Sequence, residues 1–183
     1  MPGLMARIMR RIHGGDDAGK DFLKKIPILS GLDAGELDMV WSIVKKREIP
    51  AGRVIIREGE IGDSMYFFAQ GTANVTKNLT MKLGQSGFGN VEKSMVKLDS
   101  ATVSFFGDMA MFEDEPRSAT ITASTDCLVY EVQRRDFERL CDQNPGLGLK
   151  ILRRVAATLC HRIRKANQDV LKLSTALSIA LSK

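Results

Sequence analysis

The sequence predicts an α+β fold: a sandwich of short antiparallel strands flanked by helices, with one long helix at the C-terminal end. Three observations carry this. Short strand-like runs punctuated by glycine fill the middle of the chain, helical spacing of apolar residues brackets them, and a seven-residue apolar repeat occupies 152–180.

At 183 residues the chain has room for one domain with appendages, and 44% apolar with 27% charged residues is the composition of a soluble protein with a real core. No apolar run approaches the roughly 18 residues a spanning helix needs. The opening MPGLMARIMRRIHGG lacks the apolar stretch and cleavage site of a signal peptide, so a cytoplasmic location is expected. Cys127, Cys141 and Cys160 lie far apart without C-x-x-C spacing, which predicts reduced thiols and neither disulfide nor metal site. A net charge of +5 permits an acidic partner without identifying one.

Taken in order, the N-terminal region 1–20 places Met5, Ile8, Met9 and Ile12 on one helical face and Arg7, Arg10 and Arg11 on the other, with Gly14 and Gly15 as a stop. This short basic amphipathic helix is read as docking on its own domain, and membrane contact is not expected. The region 21–143 forms the sandwich. Asp33 and Glu36 have the spacing of a capping box ahead of Leu37, Val40, Trp41 and Val44, which predicts a three-turn core helix. Strands are predicted at 53–57, 65–70, 72–76, 101–105, 119–124 and 128–132, with turns at Gly52, Gly59, Gly62, Gly71 and Gly107 supplying positive φ or close backbone approach. The long, polar, basic stretch 76–100 is read as an extended, flexible hairpin; its glycines do not match a dinucleotide fingerprint.

The region 144–183 reads as one long helix, starting with Asn144 as N-cap and Pro145 at its first position. Its apolar residues fall in two sets, Ala156, Ile163, Val170 and Leu177, and Leu152, Leu159, Ala166, Leu173 and Ala180. That seam predicts a parallel two-stranded coiled coil, hence a homodimer through 152–180.

The stretch 105–120 carries the candidate site. Gly107 opens a short helical turn through Asp108, Met109 and Ala110, whose leading backbone N–H groups lack partners and favour negative charge. After an acidic loop, Pro116 delivers Arg117, a planar and permanently charged fork suited to phosphate. Ser118 adds a hydroxyl donor and Ala119 an unobstructed N–H. Asp108 only accepts hydrogen bonds when ionised, which suits a sugar hydroxyl beside the phosphate. A ribose with an attached phosphate meets both demands.

These residues closely resemble the phosphate-binding cassette of the cyclic nucleotide-binding domain family, which is shared by catabolite-activator-type transcription factors, kinase regulatory subunits and gated channels. The motif F-G-D-M-A-M-F…P-R-S-A-T carries the match, supported by EGEIGDSMYFFAQGTANV at 58–75 and IPILSGLDAGEL at 26–37. The resemblance covers about 21–172. It implies a jelly-roll-like β-roll, a cyclic phosphate held by Arg117 and Ser118, and N–H groups of Gly107, Asp108, Met109, Ala110 and Ala119 lining the cassette. It also implies Asp108 on the ribose 2′-hydroxyl, and a long helix that pairs subunits and closes over the purine. The ligand implied is a cyclic nucleotide, cyclic AMP first and cyclic GMP second, with no further cofactor.

Two departures stand out. The family's acid after the glycine is glutamate, and Asp108 is one methylene shorter. Dimeric relatives place hydroxyl residues near the purine, where this chain has Ala166 and Asn167; Asn167 is read either as a contact to the base or as a surface amide. Transcription-factor relatives also continue into a helix-turn-helix domain, whereas this chain stops at Lys183. The output is therefore expected to lie in a partner or in a longer protein of which this is the sensor.

Other classes fit less well. His13 and His161 belong to no metal or nucleophile motif, so no catalytic residues are assigned and an enzyme is not expected. The basic residues Lys150, Arg153, Arg154, Arg162, Arg164, Lys165 and Lys172 fall mostly outside the seam and read as a solvated face, so direct DNA binding is not expected. The alternative that survives is a dimeric scaffold of the same fold whose pocket binds no nucleotide, or a different one such as cyclic GMP or a cyclic dinucleotide.

Overall fold

The computed structural model describes residues 17–82 and 88–182. The amphipathic helix expected at 5–12 lies outside the described residues. Eight strands form two antiparallel four-stranded sheets, in the orders β1-β8-β3-β6 and β2-β7-β4-β5. The strands of the first are β1 (Val44–Ile49), β3 (Ser64–Gln70), β6 (Phe105–Phe106) and β8 (Cys127–Gln133). Those of the second are β2 (Val54–Ile56), β4 (Thr72–Lys82), β5 (Phe88–Asp99) and β7 (Thr120–Ala123). Helices α1 (Asp17–Leu23), α2 (Ala34–Trp41), α3 (Arg134–Gln143) and α4 (Pro145–Leu181) complete the chain. The result is the predicted antiparallel β-roll flanked by helices. No helix among the described residues is long and apolar enough to cross a membrane.

Side-chain alternation explains why the two central strands of the first sheet are mostly apolar. On β3, Met65 and Phe67 face the helical layer while Phe68 faces the second sheet; on β8, Tyr130 and Val132 face the helices while Cys127 and Val129 face inward. The central strands β8 and β3 are covered on both faces and so read as largely continuous apolar runs, whereas the edge strand β1 keeps Lys45, Lys46, Arg47 and Glu48 exposed. The described side chains of β4 and β7 in the second sheet alternate. Ile56, Ala73, Ile121 and Ala123 enter the inter-sheet core, whereas Thr72, Asn74, Thr120 and Thr122 do not. Trp41 packs edge-on against Tyr130, with ring centroids 5.4 Å apart, at the centre of the helical layer.

The capping box forms as read: the Glu36 N–H donates to Asp33 Oδ1 and the Asp33 N–H donates to Glu36 Oε2, both at 2.9 Å. The helix stops sooner than its apolar spacing suggested. Val44 begins β1, whose Val-Lys-Lys-Arg-Glu-Ile sequence pairs with β8 from Val44–Val132 to Ile49–Cys127. The strand expected at 101–105 shrinks to Phe105–Phe106, because the chain first turns at 99–103, where the Val103 and Thr102 N–H groups both donate to Asp99 O. The 76–100 stretch is a hairpin of two long strands, paired from Thr72–Asp99 to Lys82–Phe88; the connection at 83–87 lies outside the described residues. Only Ala73 to Thr76 of β4 also pair with β7.

Helix α3 went unread in the sequence, and it changes the role of Asn144. The residue sits at the N-cap of α4 but makes no side-chain cap; its Nδ2 instead donates to Leu140 O, 3.2 Å away, closing the end of α3. Pro145 occupies the first turn of α4 as expected. Gly148 lets the two helices meet, since a Cβ there would lie 2.9 Å from Cys141 Cβ. Helix α4 runs for 37 residues, about 55 Å at 1.5 Å per residue. Its first turns bury Leu147, Ile151 and Val155 against the roll, with Leu159 partly buried after them. Apart from Leu159, the large residues of the predicted seam point elsewhere: Leu152, Ile163, Val170, Leu173 and Leu177 are 42–71% exposed.

Candidate functional site

The site is built where β6 ends. Phe105 and Phe106 anchor that strand in the core, and Gly107 follows in the left-handed region at φ 74°. The positive φ favours glycine at this position, and a Cβ would also sit tightly, 3.1 Å from both Arg117 Nη1 and Ile56 Cδ1. A single 3-10 turn, Asp108–Met111, comes next, fixed by burial of Ala110 and Met111 while Met109 faces solvent. After the acidic loop the chain returns beside the 59–60 turn: the Arg117 N–H donates to Glu60 O and the Gly59 N–H donates to Arg117 O, both at 2.9 Å. β7 then begins.

Arg117 folds inward. Its Nη2 donates to Ser64 O at 2.6 Å and to Ser64 Oγ at 3.3 Å, and its Nη1 donates to Gly107 O at 3.1 Å. Gly62 makes the room: a Cβ there would lie 2.1 Å from Arg117 Nε. Burial pushes the guanidinium pKa down, opposed by Tyr66 and Asp63. Arginine stays charged nonetheless. Among the described residues Arg117 enters no ion pair, so a half-buried cation is held by three neutral acceptors.

Asp108 is the opposite case. It is 5% exposed, and both carboxylate oxygens accept from Arg162 Nη1, at 3.1 and 2.8 Å. Arg162 reaches across from α4, its guanidinium carbon 4.8 Å from the centre of the Phe105 ring. The acid proposed for a sugar hydroxyl is thus already paired, and the pairing ties the cassette to the long helix.

Gly107, Asp108, Met109, Ala110, Arg117, Ser118 and Ala119 all line one cavity of about 160 Å³. Ile56, Val75 and Ile121 supply an apolar floor, and Glu113 and Glu115 an acidic rim. Asn167 is not brought there. It is exposed on α4, beyond Arg162 by about 7.5 Å of helix rise. Three residues that sequence reasoning passed over complete the site: Gly62, Ser64 and Arg162. Gly62 was legible as a turn, but nothing in the one-dimensional pattern showed that Arg117 would fill its empty side. Arg162 was read with the solvated basic face because it flanks the seam.

Comparison with known proteins places this geometry. A family model described as "Cyclic nucleotide-binding domain" matches residues 46–144, from β1 to the end of α3, and so includes the whole cavity. A cyclic nucleotide-gated potassium channel of Mesorhizobium japonicum is 31% identical over 131 residues, covering 72% of this chain and 32% of that protein. A cAMP-dependent protein kinase regulatory subunit of Yarrowia lipolytica is 35% identical over 119 residues, 65% of this chain and 28% of that one. The chain therefore spans about a third of the length of these curated relatives. Among solved structures, the catabolite activator protein of Thermus thermophilus superposes with a TM-score of 0.64 at 26% identity, covering 81% of this chain and 63% of that one.

Proposed function

The chain belongs to the cyclic nucleotide-binding domain family, and from that premise we propose that it is a non-enzymatic cytoplasmic sensor that binds cyclic AMP in the cavity at 107–119 and signals through α4. The single observation that carries the reading is Arg117: a half-buried guanidinium at the cavity, cradled by Gly107 and Ser64 and in no ion pair among the described residues. A cyclic phosphate supplies the missing anion, with the Ser118 hydroxyl and the Ala119 N–H as further donors. The apolar floor of Ile56, Val75 and Ile121 suits the faces of the sugar. Cyclic AMP is placed first because the Yarrowia relative is a cAMP-dependent kinase subunit; cyclic GMP is second.

Signalling follows from Asp108. A ribose 2′-hydroxyl that donates to its carboxylate competes with Arg162, so ligand binding loosens the contact between cassette and α4. Only such a difference in affinity between two arrangements can move the equilibrium. The exposed seam of α4 supports a homodimer through 152–180, and the output passes to a partner or to another part of a longer protein.

One observation favours a second reading. Because Asp108 is already paired with Arg162, a scaffold that binds no nucleotide, or one that takes cyclic GMP or a cyclic dinucleotide, fits the same fold. Calorimetric titration with cyclic AMP, cyclic GMP and a cyclic dinucleotide separates the two. Saturable binding that Arg117→Leu abolishes is the expected result and names the ligand. A parent chain that binds none of the three overturns the sensor reading in favour of the scaffold.

A further inference from the structure

We propose that Arg134 is the positioning residue of the cassette, clamping the far end of its turn to the start of α3; its effect on ligand affinity rests on the nucleotide reading above. Three bonds leave one guanidinium. Nε donates to Ala110 O and Nη2 to Glu113 O, each at 2.7 Å, and Nη1 donates to the Asp114 carboxylate. The acceptors span the end of the 3-10 turn and the acidic loop behind it. Two of them are backbone carbonyls, one at the end of the turn and one in the loop, and a charged donor serves both.

The backbone of Arg134 is fixed as firmly. Its N–H donates to Asp63 O at 2.6 Å, between Gly62 and Ser64, the two residues that cradle Arg117. One residue therefore touches both halves of the site, the turn that carries Asp108 and the loop that holds Arg117, while being the first residue of α3. The bond to Asp114 contributes least, because that carboxylate is 93% exposed, whereas Arg134 itself is only 18% exposed. The fork is what matters. Lysine has the charge but cannot serve both carbonyls in one plane.

The experiment compares Arg134→Gln and Arg134→Lys with Arg139→Gln, an exposed arginine on the same helix. Hydrogen exchange over 107–113 is measured on nucleotide-free protein, and cyclic AMP and cyclic GMP are titrated calorimetrically. Both Arg134 variants are expected to speed exchange at 107–113 while the sheets stay protected, and to weaken nucleotide binding by about tenfold or more, the loss of one or two charged hydrogen bonds. Arg139→Gln should change neither. Unchanged exchange at 107–113 in Arg134→Gln overturns the clamp whether or not the parent binds a nucleotide. Accelerated exchange with binding within twofold of the parent overturns the positioning role. A parent that binds nothing defeats the nucleotide reading alone, and the exchange data still decide the clamp.

Discussion

The two ends of helix α4 are built from similar residues and meet opposite fates. Near its start Ile151 is 2% exposed, a member of the main hydrophobic core, while Ile163, twelve residues on, is 59% exposed. The first stretch belongs to the roll's own core. The second leaves its apolar residues uncovered by the roll, those of the seam together with Leu171, Ile179 and Leu181. Burial in one chain, then, is not the common rule for this helix: 147–155 is packed into the domain, with Leu159 partly so, and 160–181 is left exposed. Arg162 stands at the division, the point where the outward stretch still touches the cassette.

The sharpest way to break this contrast is to damage each stretch separately. Ile151→Ala should lower unfolding stability by about 2–5 kcal/mol, the usual cost of a large-to-small change in a packed core. Ile163→Glu with Val170→Glu should leave chemical denaturation of the monomer within about 0.5 kcal/mol of the parent, yet shift sedimentation from dimer to monomer. A double variant that sediments as the parent does would remove the coiled-coil reading and leave the exposed apolar residues unexplained.

A smaller effect is predicted at the division itself. Arg162→Gln frees the Asp108 carboxylate for a sugar, so affinity for cyclic AMP should rise several-fold, on the order of one hydrogen bond. Affinity for 2′-deoxy cyclic AMP should not rise with it. Equal gains for both ligands, or none, would show that Asp108 does not meet the ribose.

The smallest effect belongs to the buried end. Lys150 Nζ donates to Glu36 Oε1 at 2.6 Å, joining α4 to the capping box of α2. That bond, then the Asp33 N–H, holds the Glu36 carboxyl below its ordinary value of 4.5. A depressed carboxylate stabilises the fold above its unfolded pKa, and the contribution disappears as pH falls through the folded value. The stability difference between parent and Glu36→Gln should therefore be present at neutral pH and vanish in acid below the ordinary carboxylate range. A difference that persists there would assign the effect to packing.

How far the sequence could be read follows the same division between local and distant. Gly107 to Ala110 and Arg117 to Ala119 lie within thirteen positions of one another, so the turn and the proline that place them are visible in one stretch. Arg162 and Ser64 are 54 and 53 residues from the partners they hold, and only strand order brings them there. Local ambiguity explains the remaining differences. Val44 continues the helical spacing of Val40 and Trp41, yet the following Lys-Lys-Arg suits an exposed edge strand, and pairing with β8 decides the matter. Asn144 is a good cap by type, but it follows a helix whose last carbonyls also need a donor, and its amide serves that one. α3 escaped notice because only Phe137, Leu140 and Cys141 mark its inner face amid charged residues.

Trp41 gives the molecule a built-in optical probe. It is the sole tryptophan, 7% exposed and set against Tyr130 in the helical layer, and it is absent from the lining of the cavity. Its emission reports the polarity of that layer alone. A nucleotide in the cavity does not touch the indole, so a shift of its emission maximum on titration would read motion transmitted from the cassette to the helices.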